Sequence, residues 1–202
     1  MIKYIFLPFI IFFVTSCATA NKSISNNNIK KDDKYIYSLI YKNIKANNLD
    51  NADENFVKLK TDFENSPYLK DAATNLAVAH MAKKEYILAN FYLQEALNID
   101  SSDEFLKFLL NQNQFLAIVE NKNDQNYLNR GLKALNYNKN LVFSRGYKIL
   151  SESMYNRVKI DLAYKNLKVG ELYKKMNKQA AYDLYAKKVK ELGVDINNLI
   201  MP

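Results

Sequence analysis

The sequence predicts an all-α protein built from tandem helical hairpins stacked side by side. Three observations carry that prediction. The chain of 202 residues has only four Gly and three Pro, so little interrupts it. From about residue 34 onward, apolar residues recur at helical spacing. Finally, one stretch repeats another: moved along by 37 positions, residues 36–59 place Leu39 on Leu76, Ile40 on Ala77, Asn43 on His80, Ala52 on Ala89 and Phe56 on Leu93.

The chain opens on a different kind of segment. Lys3 is followed by an apolar run, residues 4–14, broken only by Pro8. A bilayer-spanning helix needs roughly 20 apolar residues, so this run is too short. It fits the hydrophobic part of a secretory signal over residues 1–16. Val14-Thr15-Ser16-Cys17 follows, and then polar sequence. Small residues before a cysteine resemble the site where a bacterial signal peptidase cuts ahead of a cysteine that will carry lipid. Cys17 is the one cysteine in the chain, so no disulfide framework competes for it. A plain signal cut after Ala18 or Ala20, with no anchor, is the alternative. Ala18 instead of Asp after the cysteine favours the outer membrane, on its periplasmic face.

Residues 17–33 hold almost nothing apolar and read as a lipidated flexible tether. Some fifteen such residues reach about 20 Å. The formal net charge is +8. Export removes nucleic acid as a partner. Anionic headgroups, an acidic protein surface or a plain solvated lysine-rich surface remain open.

Residues 34–195 are expected to form the folded domain, and residues 196–202 a tail. The repeat of 37 is the tetratricopeptide period of about 34 plus three; Asn65-Ser66-Pro67 fits the excess. Leu39-Ile40 and Leu76-Ala77 lie on inward stripes of first helices. Ala52 and Ala89 are small where a second helix approaches its partner. Ser66 caps the next helix, with Pro67 at its first position. Asp100-Ser101-Ser102-Asp103 caps the one after. A helix over 103–120 is apolar on much of its circumference, with Phe91, Phe105, Phe108 and Phe115 assigned to the core. A polar loop over 121–124 precedes a helix over 125–137 with Leu128, Leu132 and Leu135 on one face. Asn138-Lys139-Asn140 breaks it. Residues 141–176 are expected as one unusually long helix, and 178–192 as the last, stopped by Gly193. Gly170, Tyr173, Asn177 and Ala181 repeat the spacing of Ala77, His80, Lys84 and Ala89 with a slip of one residue, as a degenerate terminal repeat would.

Three stretches carry a resemblance to a family: 51–56 through Asn65-Ser66-Pro67-Tyr68 into Asp71-Ala72; 84–92; and Leu162-Ala163 through 169–175 to Ala180-Ala181. With the signal, the tether and the repeats, they resemble the BamD (YfiO) family of outer-membrane assembly lipoproteins over most of residues 33–192. The resemblance implies a tetratricopeptide-type scaffold of the β-barrel assembly machinery. Its expected partners are a BamA-like barrel subunit, other lipoproteins of the machinery and unfolded outer-membrane proteins. Another repeat lipoprotein, such as a secretin pilotin or a cell-envelope adaptor, is the alternative.

The sequence holds no catalytic constellation, and no cofactor or metal is expected. The one histidine, His80, has no second His beside it, and its repeat position suits packing between neighbouring hairpins. Candidate sites are therefore surfaces. Lys34, Tyr37, Ser38, Tyr41 and Lys45 share the first-helix face that lines the groove of such arrays; Asp71, Thr74, Asn75, Val78 and Met81 are their counterparts one repeat later. An extended peptide and an unliganded surface are both open readings there. Arg157, Asp161, Tyr164, Glu171, Tyr173 and Lys174 are the candidates for docking a partner. An intrahelical Arg157–Asp161 pair is the simpler reading of two of them.

Overall fold

The computed structural model describes residues 32–195. The signal 1–16, Cys17, the tether up to residue 31 and the tail 196–202 lie outside the described residues. The described part is all-α: eight α-helices and one 3-10 turn, with no strand. They are α1 (Asp33–Lys45), α2 (Leu49–Asp62), α3 (Leu69–Ala82), α4 (Tyr86–Ile99), α5 (Glu104–Glu120), α6 (Gln125–Asn138), the 3-10 turn (Lys139–Leu141), α7 (Arg145–Lys175) and α8 (Gln179–Glu191). Among the described residues no helix is long and apolar enough to cross a membrane.

Helices pack as successive hairpins, α1 on α2, α3 on α4, α5 on α6 and α7 on α8. Within three of them the turn is the same. Asn47, Lys84 and Asn177 adopt left-handed backbone angles (φ 58°, 64° and 57°). The amides that follow, of Asn48, Glu85 and Lys178, donate to the carbonyls of Asn43, His80 and Tyr173, each at 2.9 Å. These bonds satisfy carbonyls that the helix end leaves free. Asn47 and Lys84 stand 37 apart, so the repeat read from the sequence is the repeat of the fold. The third turn fixes the terminal register: Gly170, Tyr173 and Asn177 stand where Ala77, His80 and Lys84 do.

Small residues sit where the helices of a hairpin touch. Ala52, Ala77 and Ala89 are fully buried. The terminal hairpin solves the same approach differently. Ala181 is only half-buried. A Cβ placed on Gly170 would lie 3.2 Å from Tyr185 Cβ and 3.6 Å from Tyr182 Cδ2. The bare Gly170 backbone thus makes room for tyrosines on α8. In the third hairpin Gly131 has that role, because a Cβ there would collide with the Ile118 side chain. Buried residues form one large cluster over the first two hairpins and the start of α5, a second around Ile118, Leu128, Leu135, Val158 and Leu162, and a small one around Ala163 and Val189. α7 contributes to both of the latter.

Side-chain caps set the starts of four of the eight helices, α1, α2, α5 and α6. Asp32 accepts from the Tyr35 amide, so α1 begins at Asp33, one residue inside the stretch expected as tether. Asp103 accepts from Phe105 and Leu106, and Asp124 from Asn126 and Tyr127. Ser66 does cap, but it caps a turn: its hydroxyl accepts from the Tyr68 amide (3.2 Å) and donates to Asp33 (2.9 Å), and α3 starts only at Leu69. The long helix starts at Arg145, later than expected, because residues 139–141 close a 3-10 turn and Ser144 is not helical. Both carboxylate oxygens of Glu104 accept there, from the amides of Phe143 (3.0 Å) and Ser144 (2.8 Å).

Two assignments to the core are overturned. Phe91 and Phe105 are 50% and 45% exposed, while Phe108 and Phe115 are partly buried. α4 and α5 carry more apolar residues than their inward stripes can bury.

Candidate partner-binding surfaces

α1 and α3 bring their groove stripes together at one point. Tyr37 stacks on Tyr68 (centroids 5.0 Å, planes at 15°), and the Asn75 amide reaches its hydroxyl at 3.5 Å. Burial, and then the nearby Asp71 carboxylate, raise the Tyr37 phenol above its ordinary pKa. Around this point the surface is open. Lys34, Ser38, Tyr41, Lys45, Asp71 and Val78 are exposed. Lys45 extends its ammonium over the Tyr41 ring at 4.5 Å. Ser38 and Thr74 turn their hydroxyls back to carbonyls of their own helices, Tyr35 (2.7 Å) and Lys70 (2.8 Å). Met81 does not belong to this surface. It is buried in the last turn of α3.

The docking candidates divide into two sets. Arg157 pairs along the helix with Asp161 (3.5 Å), the simpler reading of those two. Tyr164 is half-exposed with Lys168 over its ring at 5.3 Å, and Glu171 is exposed. Arg157, Asp161, Tyr164 and Glu171 fall at helical spacing on one outward side of α7. Tyr173 and Lys174 face α8 instead: Tyr173 stacks on Tyr185 (5.7 Å), and Lys174 lies over Tyr182 (5.3 Å).

The turn register links the two surfaces, a point the sequence reading did not make. Counted back from Asn177 and from Lys84, Tyr164 stands at the position of Asp71, Lys168 at that of Asn75 and Glu171 at that of Val78. Tyr164 and Glu171 on α7 thus occupy the repeat positions of the groove candidates Asp71 and Val78 on α3, whereas Arg157 and Asp161 fall ahead of them, at positions that precede α3. The signal was already present in Gly170, Tyr173 and Asn177.

His80 packs between hairpins, as its position suggested, but in a polar setting. It is almost fully buried and stacks on Tyr92 (5.4 Å, 11°). Its Nδ1 lies 2.6 Å from Glu85 and its Nε2 3.1 Å from Asp53 on α2. Tyr92 also donates to Asp53, at 2.7 Å. Burial first, and then the Asp53 bond, push the Tyr92 phenol far above its ordinary value. The sequence reading also passed over a hollow of about 370 Å³ between α4 and α5, lined by Tyr86, Ile87, Leu88, Ala117 and Tyr127. Among the described residues no group of three or more His, Cys, Asp and Glu side chains is placed to hold a metal ion.

Stacked helical hairpins, three of the four closed by one recurring turn and with small residues where their helices touch, define a helical-repeat protein of the tetratricopeptide type. No family model matches the chain. The chain is similar to the outer membrane protein assembly factor BamD of Helicobacter pylori (strain ATCC 700392 / 26695), with 28% identity over 185 residues, 90% of this chain and 83% of that protein. The resemblance to the BamD family carried by the residues is borne out by this relative, and the all-α hairpin array agrees with it.

Proposed function

We propose that the chain is an outer-membrane lipoprotein that acts as a scaffold in β-barrel protein assembly. The observation that carries this reading is the similarity to an outer membrane protein assembly factor along nine-tenths of the chain. In it, Cys17 carries the lipid anchor and the folded domain stands on the periplasmic face. The stripe on α1 and α3 holds unfolded outer-membrane proteins through Tyr37, Tyr41, Asn75 and Val78. The outward side of α7, around Arg157, Tyr164 and Glu171, docks the barrel subunit, with other lipoproteins of the machinery alongside. The work is binding and positioning, with no covalent step.

Arg157→Ala is the test. The Arg157 side chain is 67% exposed and its pair with Asp161 lies along one helix. Such pairs add only about 0.3–0.5 kcal/mol, so the fold should survive. Losing one charge from a buried interfacial pair costs roughly 2–5 kcal/mol. Co-purification of the barrel subunit should therefore fall at least tenfold while the melting temperature holds. Undiminished co-purification with an intact fold removes α7 as the dock.

A further inference from the structure

The connection between α6 and α7 is unlike the other connections between hairpins. The one joining α2 to α3 carries Glu64, and the one joining α4 to α5 carries Asp100 and Asp103. Residues 125–151, which hold α6, the third connection and the start of α7, contain no carboxylate and five cations: Arg130, Lys133, Lys139, Arg145 and Lys148. The same stretch exposes large apolar side chains. Phe143 is 77% exposed, Tyr137 67%, Ile149 56% and Leu150 51%.

The exposure is built in. Val142 is buried at 1%, which pins the backbone beside Phe143. Glu104 takes the Phe143 and Ser144 amides, so the loop is held while the ring stays outside. Both oxygens of that carboxylate are occupied by these amides, and the next carboxylate along the chain is Glu152, one turn after Lys148 on α7. A Cβ at Gly146 would meet nothing within 4 Å, so the first turn of α7 is open on that side.

We propose that this connection is a contact site for an anionic lipid surface. Phe143, Ile149 and Leu150 enter the boundary between headgroups and acyl chains, and Arg145 and Lys148 meet the lipid phosphates, while Lys139 keeps its ammonium 4.5 Å over the Tyr155 ring. Basic residues interleaved with aromatic and aliphatic ones are the chemistry of interfacial binding. A fluid layer accepts apolar side chains from a loop and a helix start without a shaped pocket, whereas a protein partner must supply one. The absence of carboxylates matches a negative surface. The site does not depend on the assembly role, and the experiment reads it separately.

The chain has no tryptophan, so Phe143→Trp in the full chain is a probe without background. Vesicles with brominated acyl chains are made of phosphatidylcholine alone or with phosphatidylglycerol. With phosphatidylglycerol the emission should shift to the blue and be quenched several-fold; with phosphatidylcholine alone it should not. Changing Arg145 and Lys148 to Gln in the same chain should raise the lipid concentration for half-quenching at least tenfold. Ile87→Trp, at an 88% exposed site on α4, should stay unquenched. No quenching at position 143, equal quenching in both vesicles, or equal quenching at position 87 each overturns the proposal. A blue shift produced by polyglutamate and not by lipid makes the connection a protein dock instead and overturns it equally. A barrel subunit that binds normally throughout would leave the assembly reading standing whichever way the lipid result falls.

Discussion

Asp53 is a side chain on which two others depend. It accepts from the Tyr92 hydroxyl and faces His80 Nε2, so one carboxylate on α2 serves groups on α3 and α4. Leaving a buried donor unpaired costs about 1–3 kcal/mol. Asp53→Ala should therefore lower stability by about 2–4 kcal/mol, read as the midpoint of urea unfolding, and Asp53→Asn should recover part of it. A midpoint unmoved by the Ala variant would show that water takes over both bonds. The sequence made His80 legible as a packing residue, through its place in the repeat. It did not reveal Asp53 or Tyr92 as partners. Register shows which positions correspond, but which side chains meet across hairpins depends on how the helices cross, and no local pattern in the sequence encodes that.

The recurring turn makes two predictions at the level of the hairpin. Asn47 stands at φ 58°, where glycine is at ease, asparagine tolerable and a β-branched side chain strained. Asn47→Val should cost about 1–2 kcal/mol. Asn47→Gly should be close to neutral in thermal melts, and a neutral Val would refute the shared turn. Ala89→Leu adds bulk at a fully buried contact, where overpacking typically costs about 1–3 kcal/mol. An unchanged melting temperature would mean that α3 and α4 can move apart freely. At this scale the sequence was most informative: helix count, period, turn positions and the long seventh helix all follow from spacing and breakers. Where it failed, the reason was surplus. Phe91 and Phe105 looked like core because apolar composition was counted, whereas burial depends on the width of one stripe. The start of α7 was misplaced because Leu141 and Val142 continue the apolar run, while Glu104, forty residues from Ser144, decides where the helix begins.

For the whole molecule, position at a membrane is the property to test. Cys17→Ser removes the thiol that would carry lipid, and the protein should move from the detergent phase to the aqueous phase or remain unprocessed. Unchanged partitioning would refute the anchor. Tyr164 and Glu171 put dock candidates at the repeat positions of groove candidates on α3, and α7 carries them. At 31 residues it is roughly 46 Å long. It gives Val158 and Leu162 to one buried cluster and Ala163 to the next, and its front end is held by Glu104. In most repeat arrays each unit meets its neighbour through a loop and a packing face, so an end unit can fray alone. Here the last two hairpins share one unbroken rod. Tyr164 and Glu171 therefore stand on the same continuous helix whose first residue, Arg145, directly follows the loop that Glu104 holds.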